Sequence, residues 1–567
     1  MEFLDARRLT GPNLFLNGPG AVLDVRCTED EAIRLVPIWK QNVRRMLDAV
    51  GWGWARTHTR HFSSGVSMAF SAPIDALYAA TEINLWAWRC CESRFQNGQL
   101  PDFAAALAEF IDAIAREANP RLLELERAAK DRGVSFLWDD GNVSIGLGSG
   151  ALTWPVRDLP QITAIDWRAR HDIPAALVTG TNGKTTTVRL ATHIARTAGR
   201  NVGLSSTDWT AVNDDILDRG DYAGPEGARR VLRQPLVEMA ILEAARGGLL
   251  RRGLAVTKAD AALITNIAED HLGDFGSQNL HELLDIKWIV SRAVESSGVL
   301  VLNADDRLLV EKAAEFSGTI VWFGLDERTG VIAGHLADGG SAFVLDKQHL
   351  TRIDAKTREL ICSSADIPIA LGGAAMHNVS NALAAAALTW CLGVSLPDIG
   401  RGLTSMSQEN NPGRCNVFNI SGFKVLVDFA HNPHGMRALF DMARALPGER
   451  RLLAFSQAGD RTDESIRELA RSAWSIGLDA VIVSELETYW RGRSRGEVYS
   501  VIRSELMRLG ARADQIRHFK EETESLDAAL AWAQPGDLVI LLVLADSQTI
   551  LERLRSLAQH DAAPARI

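Results

Sequence analysis

At 567 residues the chain is too long for a single core, and its length corresponds to roughly three or four domains. Hydrophobic residues at 46% and charged residues at 23% describe a globular protein that packs in water. The formal net charge of −10 leaves no general basic footprint, so nucleic acid is not an expected partner.

The opening Met1-Glu-Phe-Leu-Asp-Ala-Arg-Arg8 does not read as a secretory signal. The six cysteines show no paired C-x-x-C spacing, and Cys90 and Cys91 are adjacent. Reduced thiols in a cytoplasmic protein are the expectation. The longest uncharged stretch, 367–397, is interrupted by Gly372, Gly373, His377, Asn378, Ser380 and Asn381. That pattern suits a buried loop and helix, so no membrane partner is expected.

Residues 1–160 read as a small α+β domain for substrate binding or assembly. Ala21 to Val25 and Gly65 to Phe70 have strand character, and helices are expected over 74–90 and 102–130. Trp52, Trp54, Trp86 and Trp88 lie near apolar helices and read as core residues in preference to a binding surface. The cluster Arg56, His58, Arg60 and His61 reads as a solvated face before an anion site. Gly146-Leu-Gly-Ser-Gly150 resembles a nucleotide loop only superficially, because Trp154-Pro155 intervenes where a helix should follow.

Residues 161–409 alternate apolar strands with helices, the pattern of a doubly wound α/β domain with a mostly parallel sheet. The stretch Val178-Thr-Gly-Thr-Asn-Gly-Lys-Thr-Thr-Thr187 organises it. The apolar run 174–179 precedes this stretch. Val188, Ala191, Ile194, Ala195 and Ala198 follow at helical spacing, up to a C-cap at Gly199. A strand, a glycine turn and a helix N-terminus make an anion site, to which Lys184 adds positive charge and Thr185 a hydroxyl for Mg²⁺. Four further strands are expected at 202–208, 238–243, 261–266 and 299–303, with polar residues gathered at their carboxyl ends. Glu243 and His271 stand at such ends and are candidate Mg²⁺ ligands.

Residues 410–567 repeat the theme as a Rossmann-like α/β domain. Strands are expected at 424–427, 451–456, 479–484 and 537–544, each nearly continuous in apolar residues. Arg491, Arg493 and Arg495 form a basic patch that reads equally as a solvated face or an anionic-substrate contact.

Several motifs stand in a shared order: Gly180 to Thr186, Asn266-Ile-Ala-Glu-Asp-His271, Leu302-Asn-Ala-Asp-Asp306, His377-Asn-Val-Ser-Asn381, Pro412-Gly-Arg414 and Asp428-Phe-Ala-His-Asn-Pro433. In this the chain resembles the Mur ligase superfamily and, within it, the ligase module of the cyanophycin synthetases. Thr207-Asp208, Gly220 to Pro225, Leu242 to Gly248, Gly459-Asp-Arg461 and Arg491-Gly-Arg493 extend the likeness. The short segment Leu9 to Asn13 resembles the opening of those enzymes. No room for an ATP-grasp domain exists between about 160 and 174, so the aspartate-adding half of that chemistry is expected to be absent.

The resemblance implies an ATP-dependent, Mg²⁺-requiring ligase that forms an amide from a carboxylate and an amine through an acyl phosphate. It implies that Gly180, Thr181, Asn182, Gly183, Lys184, Thr185 and Thr186 hold the phosphates. Thr185, Thr207 and Glu243 would surround one Mg²⁺ and His271 a second. Lys287 resembles a lysine that many such ligases carbamylate, although an ordinary helix lysine remains open. Asn266, Asn303, Asp428 and His431 would border the nucleotide, and Arg414 would reach the γ-phosphate on domain closure. Asp460 and Arg461 are candidates to position the amine or its carboxylate. Partners are then small-molecule or peptide carboxylates and amines, with room for a homo-oligomer. A nucleotide-binding scaffold for another enzyme and a phosphotransferase are the alternative functions.

Overall fold

The computed structural model describes residues 1–270 and 278–562. The chain begins with a four-stranded antiparallel sheet in the spatial order Glu2–Leu9, Gly20–Arg26, Gly65–Ser71, Thr57–Phe62. Its apolar face packs against the helices Glu29–Ala49 and Leu77–Phe95. Thr28 starts the first helix through a capping box with Glu31, satisfying donors that a helix N-terminus leaves unpaired. Trp39 is fully buried between the helices, and its indole N–H donates to Asn84 Oδ1 at 2.8 Å.

Two sequence-based boundaries shift. The single helix expected over 102–130 is two, Phe103–Glu117 and Pro120–Asp131. Pro120 has no N–H to continue the ladder and disfavours helical backbone at Asn119, which instead caps the second helix at Leu122 N. The helix expected from residue 74 starts at Leu77, after a turn closed by Ala76 N on Pro73 O. Trp52, Trp86 and Trp88 are core residues as expected, whereas Trp54 is 58% exposed.

An eleven-stranded sheet forms the centre. Seven adjacent strands run parallel, in the order Val202–Ser205, Met239–Glu243, Ala175–Thr179, Ala259–Ile264, Val294–Asn303, Thr319–Gly324, Ser341–Asp346. Antiparallel strands extend both ends, Trp209–Val212 with Asp215–Arg219 on one side and His349–Asp354 with Arg358–Ser363 on the other. The helices Lys184–Thr197 and Met376–Cys391 pack against one face, where alanines at 382 and 384–387 allow close approach. Strands covered on both faces are buried along their whole length, as Ala175–Thr179 and Met239–Glu243 are.

The last part is a six-stranded sheet ordered Asn416–Ile420, Phe423–Asp428, Leu538–Leu542, Arg451–Phe455, Ala480–Ser484, Ile516–Phe519. Only the first pair is antiparallel. Together these parts make a multidomain α/β protein whose central sheet is mostly parallel. Among the described residues no helix is long and apolar enough to cross a membrane.

Candidate active site

The loop after strand Ala175–Thr179 takes its shape from two glycines with positive φ, Gly180 at +144° and Gly183 at +86°. A Cβ on Gly180 would lie 1.8 Å from Thr265 Oγ1, and one on Gly183 would lie 2.2 Å from Asn381 Oδ1, so neither position admits a side chain. Gly183 is the N-cap of helix Lys184–Thr197, which turns that helix's unpaired N–H groups toward the loop. Asn266 braces the loop from the neighbouring strand. Its carbonyl accepts Thr181 N at 2.8 Å, its Oδ1 accepts Asn182 N at 3.0 Å, and its Nδ2 donates to Asn182 O at 3.0 Å. Lys184 folds back to donate to Thr181 O at 3.0 Å.

Glu243, 1% exposed, ends strand Met239–Glu243 directly beside the helix. It accepts the Thr185 hydroxyl at 3.0 Å on Oε2 and the Thr207 hydroxyl at 2.8 Å on Oε1. One carboxylate and two hydroxyls are an all-oxygen set of the kind a hard divalent cation takes. Among the described residues, no three His, Cys, Asp or Glu come together to hold a metal. The set therefore fits Mg²⁺ that draws its remaining ligands from phosphate and water. His271, expected near a second cation, lies outside the described residues.

Lys287 ends helix Leu280–Lys287 and is almost wholly buried. Its Nζ donates to Gly180 O at 2.7 Å. Burial, reinforced by the charge of Lys184, pulls its pKa well below the usual lysine value. Asn303 donates to Thr265 O at 2.8 Å and accepts Asp305 N at 2.9 Å. Thr186 is buried in the first turn of the loop's helix, where it accepts from Asn411 Nδ2 at 3.5 Å.

The C-terminal sheet presents the tip of strand Phe423–Asp428 to the same loop. Asp428 accepts Cys415 N and Ala430 N, both at 2.8 Å. His431 Nε2 stands 3.6 Å from Asp270. Arg414 stacks over Phe429 at 4.3 Å, and its Nη2 lies 3.5 Å from Asp208. Both sheets thus line one cavity of about 930 Å³, with Lys184, Thr185, Glu243 and Lys287 facing Arg414, Asp428 and His431 across it.

Several contacts at this cavity have no local signature in the sequence. Asn182 and Asn432 exchange amide hydrogen bonds at 3.0 and 3.3 Å, and Asn182 Nδ2 also meets His434 Nδ1 at 2.9 Å. Arg461, a candidate substrate contact by sequence, donates to Asp270 Oδ1 at 2.6 Å and so ties the C-terminal part to the central one. Asp306 accepts Ile267 N at 2.6 Å; its place in the Asn303-Ala-Asp-Asp306 motif was the available signal. In the arginine patch, Arg491 pairs with Asp460, and Arg493 with Asp463 and Glu497.

Residues 178–389 match the Mur ligase middle domain, and residues 413–542 match the Mur ligase glutamate ligase domain. The chain is 35% identical over 371 residues to a cyanophycin synthetase of Crocosphaera subtropica, across 65% of this chain and 42% of that protein. It is 28% identical over 390 residues to a UDP-N-acetylmuramoyl-L-alanyl-D-glutamate–2,6-diaminopimelate ligase of Geobacillus kaustophilus, across 66% of this chain and 74% of that enzyme. Among solved structures, E. coli FolC in complex with DHPP and ADP is similar in fold, with a TM-score of 0.50 at 20% identity, covering 68% of this chain and 89% of FolC. The match takes in less than half the length of the cyanophycin synthetase.

Proposed function

Because the chain belongs to the Mur ligase family, with the middle and glutamate ligase domains in order, we propose that it is an ATP-dependent, ADP-forming carboxylate–amine ligase. The observation that carries this reading is Glu243 holding Thr185 and Thr207 at the mouth of a glycine loop, while Arg414, in the turn before the C-terminal sheet, and Asp428, at the tip of one of its strands, face it.

In this reading the loop amides and Lys184 bind the β- and γ-phosphates. A substrate carboxylate attacks the γ-phosphorus, ADP leaves, and an acyl phosphate forms. An amine then attacks the acyl carbon, and inorganic phosphate departs from the tetrahedral intermediate. Phosphoryl transfer of this kind depends on positioning and charge stabilisation more than on covalent help from the protein. Mg²⁺ bound at Glu243, Thr185 and Thr207 would supply neutralising charge to the phosphate oxygens. Arg414 would supply more from the C-terminal side. Lys287, if carbamylated, would turn a buried cation into an anion beside the loop. Enclosure between the two sheets would protect the acyl phosphate from water.

For substrates we propose an aspartate-containing peptide or polymer as the carboxylate and a basic amino acid as the amine, by likeness to the cyanophycin synthetases. The segment between Pro155 and Ala175 holds only two short 3-10 turns, so an ATP-grasp domain has no place there. Residues 1–160 would present the substrate or support assembly, residues 161–409 would bind ATP, and residues 410–567 would close on it, in the cytoplasm. ADP release, followed with pools of amino acids and short acidic peptides, tests the proposal. Acceptor-dependent release that Lys184→Ala abolishes is the expected result. Release that Lys184→Ala leaves intact would refute it.

A further inference from the structure

Three charged side chains meet where the central and C-terminal sheets join. Arg189 projects from the phosphate-loop helix and is 4% exposed. Burial pulls its pKa down to about 10, which still leaves it cationic at neutral pH. One end of its guanidinium donates to Asn411 Oδ1 at 3.1 Å and Pro412 O at 3.0 Å, in the link between the sheets. The other end donates to Asp208 Oδ2. Arg414, two residues beyond Pro412, brings its Nη2 to 3.5 Å from that same oxygen.

Asp208 follows Thr207, whose hydroxyl is on Glu243 at 2.8 Å. One dipeptide therefore touches the cation-site carboxylate with its first side chain and both arginines with its second. A second cleft of about 760 Å³ opens here, and it shares Thr207, Asp221, Arg414, Phe429 and Tyr489 with the nucleotide cavity. Arg414 lines both spaces and so stands at their junction.

The geometry points to Asp208 as the positioning residue for Arg414. Without the carboxylate, Arg189 and Arg414 lose the oxygen they share, and a buried cation repels its neighbour strongly. Among the described residues, Arg414 is also held by the Phe429 ring and by the Gly413 carbonyl at 3.1 Å. Both constrain the side chain from its own side of the junction, and neither fixes its reach toward the phosphate loop. The 3.5 Å spacing to Asp208 is loose enough for Arg414 to turn to a phosphate while Arg189 keeps Asp208 in place.

This inference rests on the ligase reading, and a double-mutant cycle on the full chain tests it. ADP release is measured for the unsubstituted protein, Asp208→Asn, Arg414→Ala and the pair, with thermal melting alongside. If Asp208 acts through Arg414, Asp208→Asn lowers kcat on the order of 100-fold, as small misplacements at a reacting centre do. KM for ATP should then hold within about twofold. The double variant should be no slower than Arg414→Ala alone. Losses that multiply, or an Asp208→Asn protein that melts early yet keeps its kcat, would reduce Asp208 to a structural partner of Arg189. If Asp208→Asn does not fold, Asp208→Glu keeps the charge and changes its reach, and the same cycle is read from it. An unsubstituted protein that releases no ADP with any acceptor would overturn the ligase reading itself.

Discussion

The Nζ of Lys287 lies 2.7 Å from the carbonyl oxygen of Gly180, so a buried amine donates into the backbone of the phosphate loop. With its pKa held low by burial and by Lys184, this amine is neutral at a lower pH than an ordinary lysine. Neutral amines react with carbon dioxide and ammonium ions do not. Activity of the unsubstituted protein should therefore rise with pH through the lowered pKa and respond to added bicarbonate. Lys287→Met should lose on the order of 100-fold in kcat and show no bicarbonate response. The sign for stability follows from the same shift. Below the folded-state pKa the cost of burying the charge is fully present. It fades as pH climbs toward the unfolded value of about 10.4, because the unfolded chain binds more protons in that window. Denaturant melts of the unsubstituted and Lys287→Met proteins across alkaline pH would show the difference narrowing.

Glu243 is buried and accepts two hydroxyls and Thr207 N, so in the proposed cation site it would present a preset oxygen corner. Glu243→Gln keeps the volume and removes the charge. The Mg²⁺ concentration for half-maximal activity should rise by about tenfold or more, with kcat down on the order of 100-fold. A metal titration of ADP release checks this, and an unchanged Mg²⁺ response would remove Glu243 from the cation site.

The reciprocal amide pair of Asn182 and Asn432 joins the loop to the C-terminal sheet. Asn432 also caps helix Pro433–Ala445 through Gly435 N at 2.8 Å. Asn432→Ala should cost about 1 kcal/mol from the lost cap alone. Asn182→Ala leaves the cap intact, so it should spare the melting temperature while raising KM for ATP. Comparing melts and ATP titrations of the two variants separates cap from latch.

Cys415 sits at the domain junction, 2% exposed, with its thiol 3.1 Å from His377 Nε2 and 3.3 Å from Asp428 Oδ2. Burial and the Asp428 charge push its pKa well above the usual thiol value. A thiolate is the reactive form, so neither the histidine nor the site makes this cysteine a nucleophile. In the native protein, iodoacetamide should label Cys415 at least about tenfold more slowly than the half-buried Cys27. Peptide mapping after timed alkylation reads the ratio.

Much of the architecture is legible because local rules and global fold agree. The phosphate loop is visible from glycine placement and a lysine at the head of a helical repeat, and the buried parallel strands from unbroken apolar runs. What escaped includes the apolar strands Thr319–Gly324 and Ser341–Asp346; the rest was polar or short. The hairpins Trp209–Arg219 and His349–Ser363 carry short runs broken by charged residues, and they become strands only by adding to the sheet's edges. Asn416–Ile420 and Ile516–Phe519 are only five and four residues long and form at the edges of the C-terminal sheet. Pro120 was a readable stop signal inside a run of good helix formers.

By itself the sequence determined that a glycine loop runs from a buried strand into a helix that begins at a lysine. In the proposed site Gly180, Gly183 and Lys184 would act through backbone freedom, a helix N-terminus and a fixed charge, all properties of a few consecutive residues. Only the tertiary structure decided which distant groups pair with one another across the site. Asn182 with Asn432, Arg461 with Asp270, and Arg414 with Asp208 are separated by 250, 191 and 206 positions. Nothing local distinguishes a paired asparagine or arginine from a solvated one. Their roles are set by how two sheets dock, which depends on the packing of whole surfaces and not on any motif.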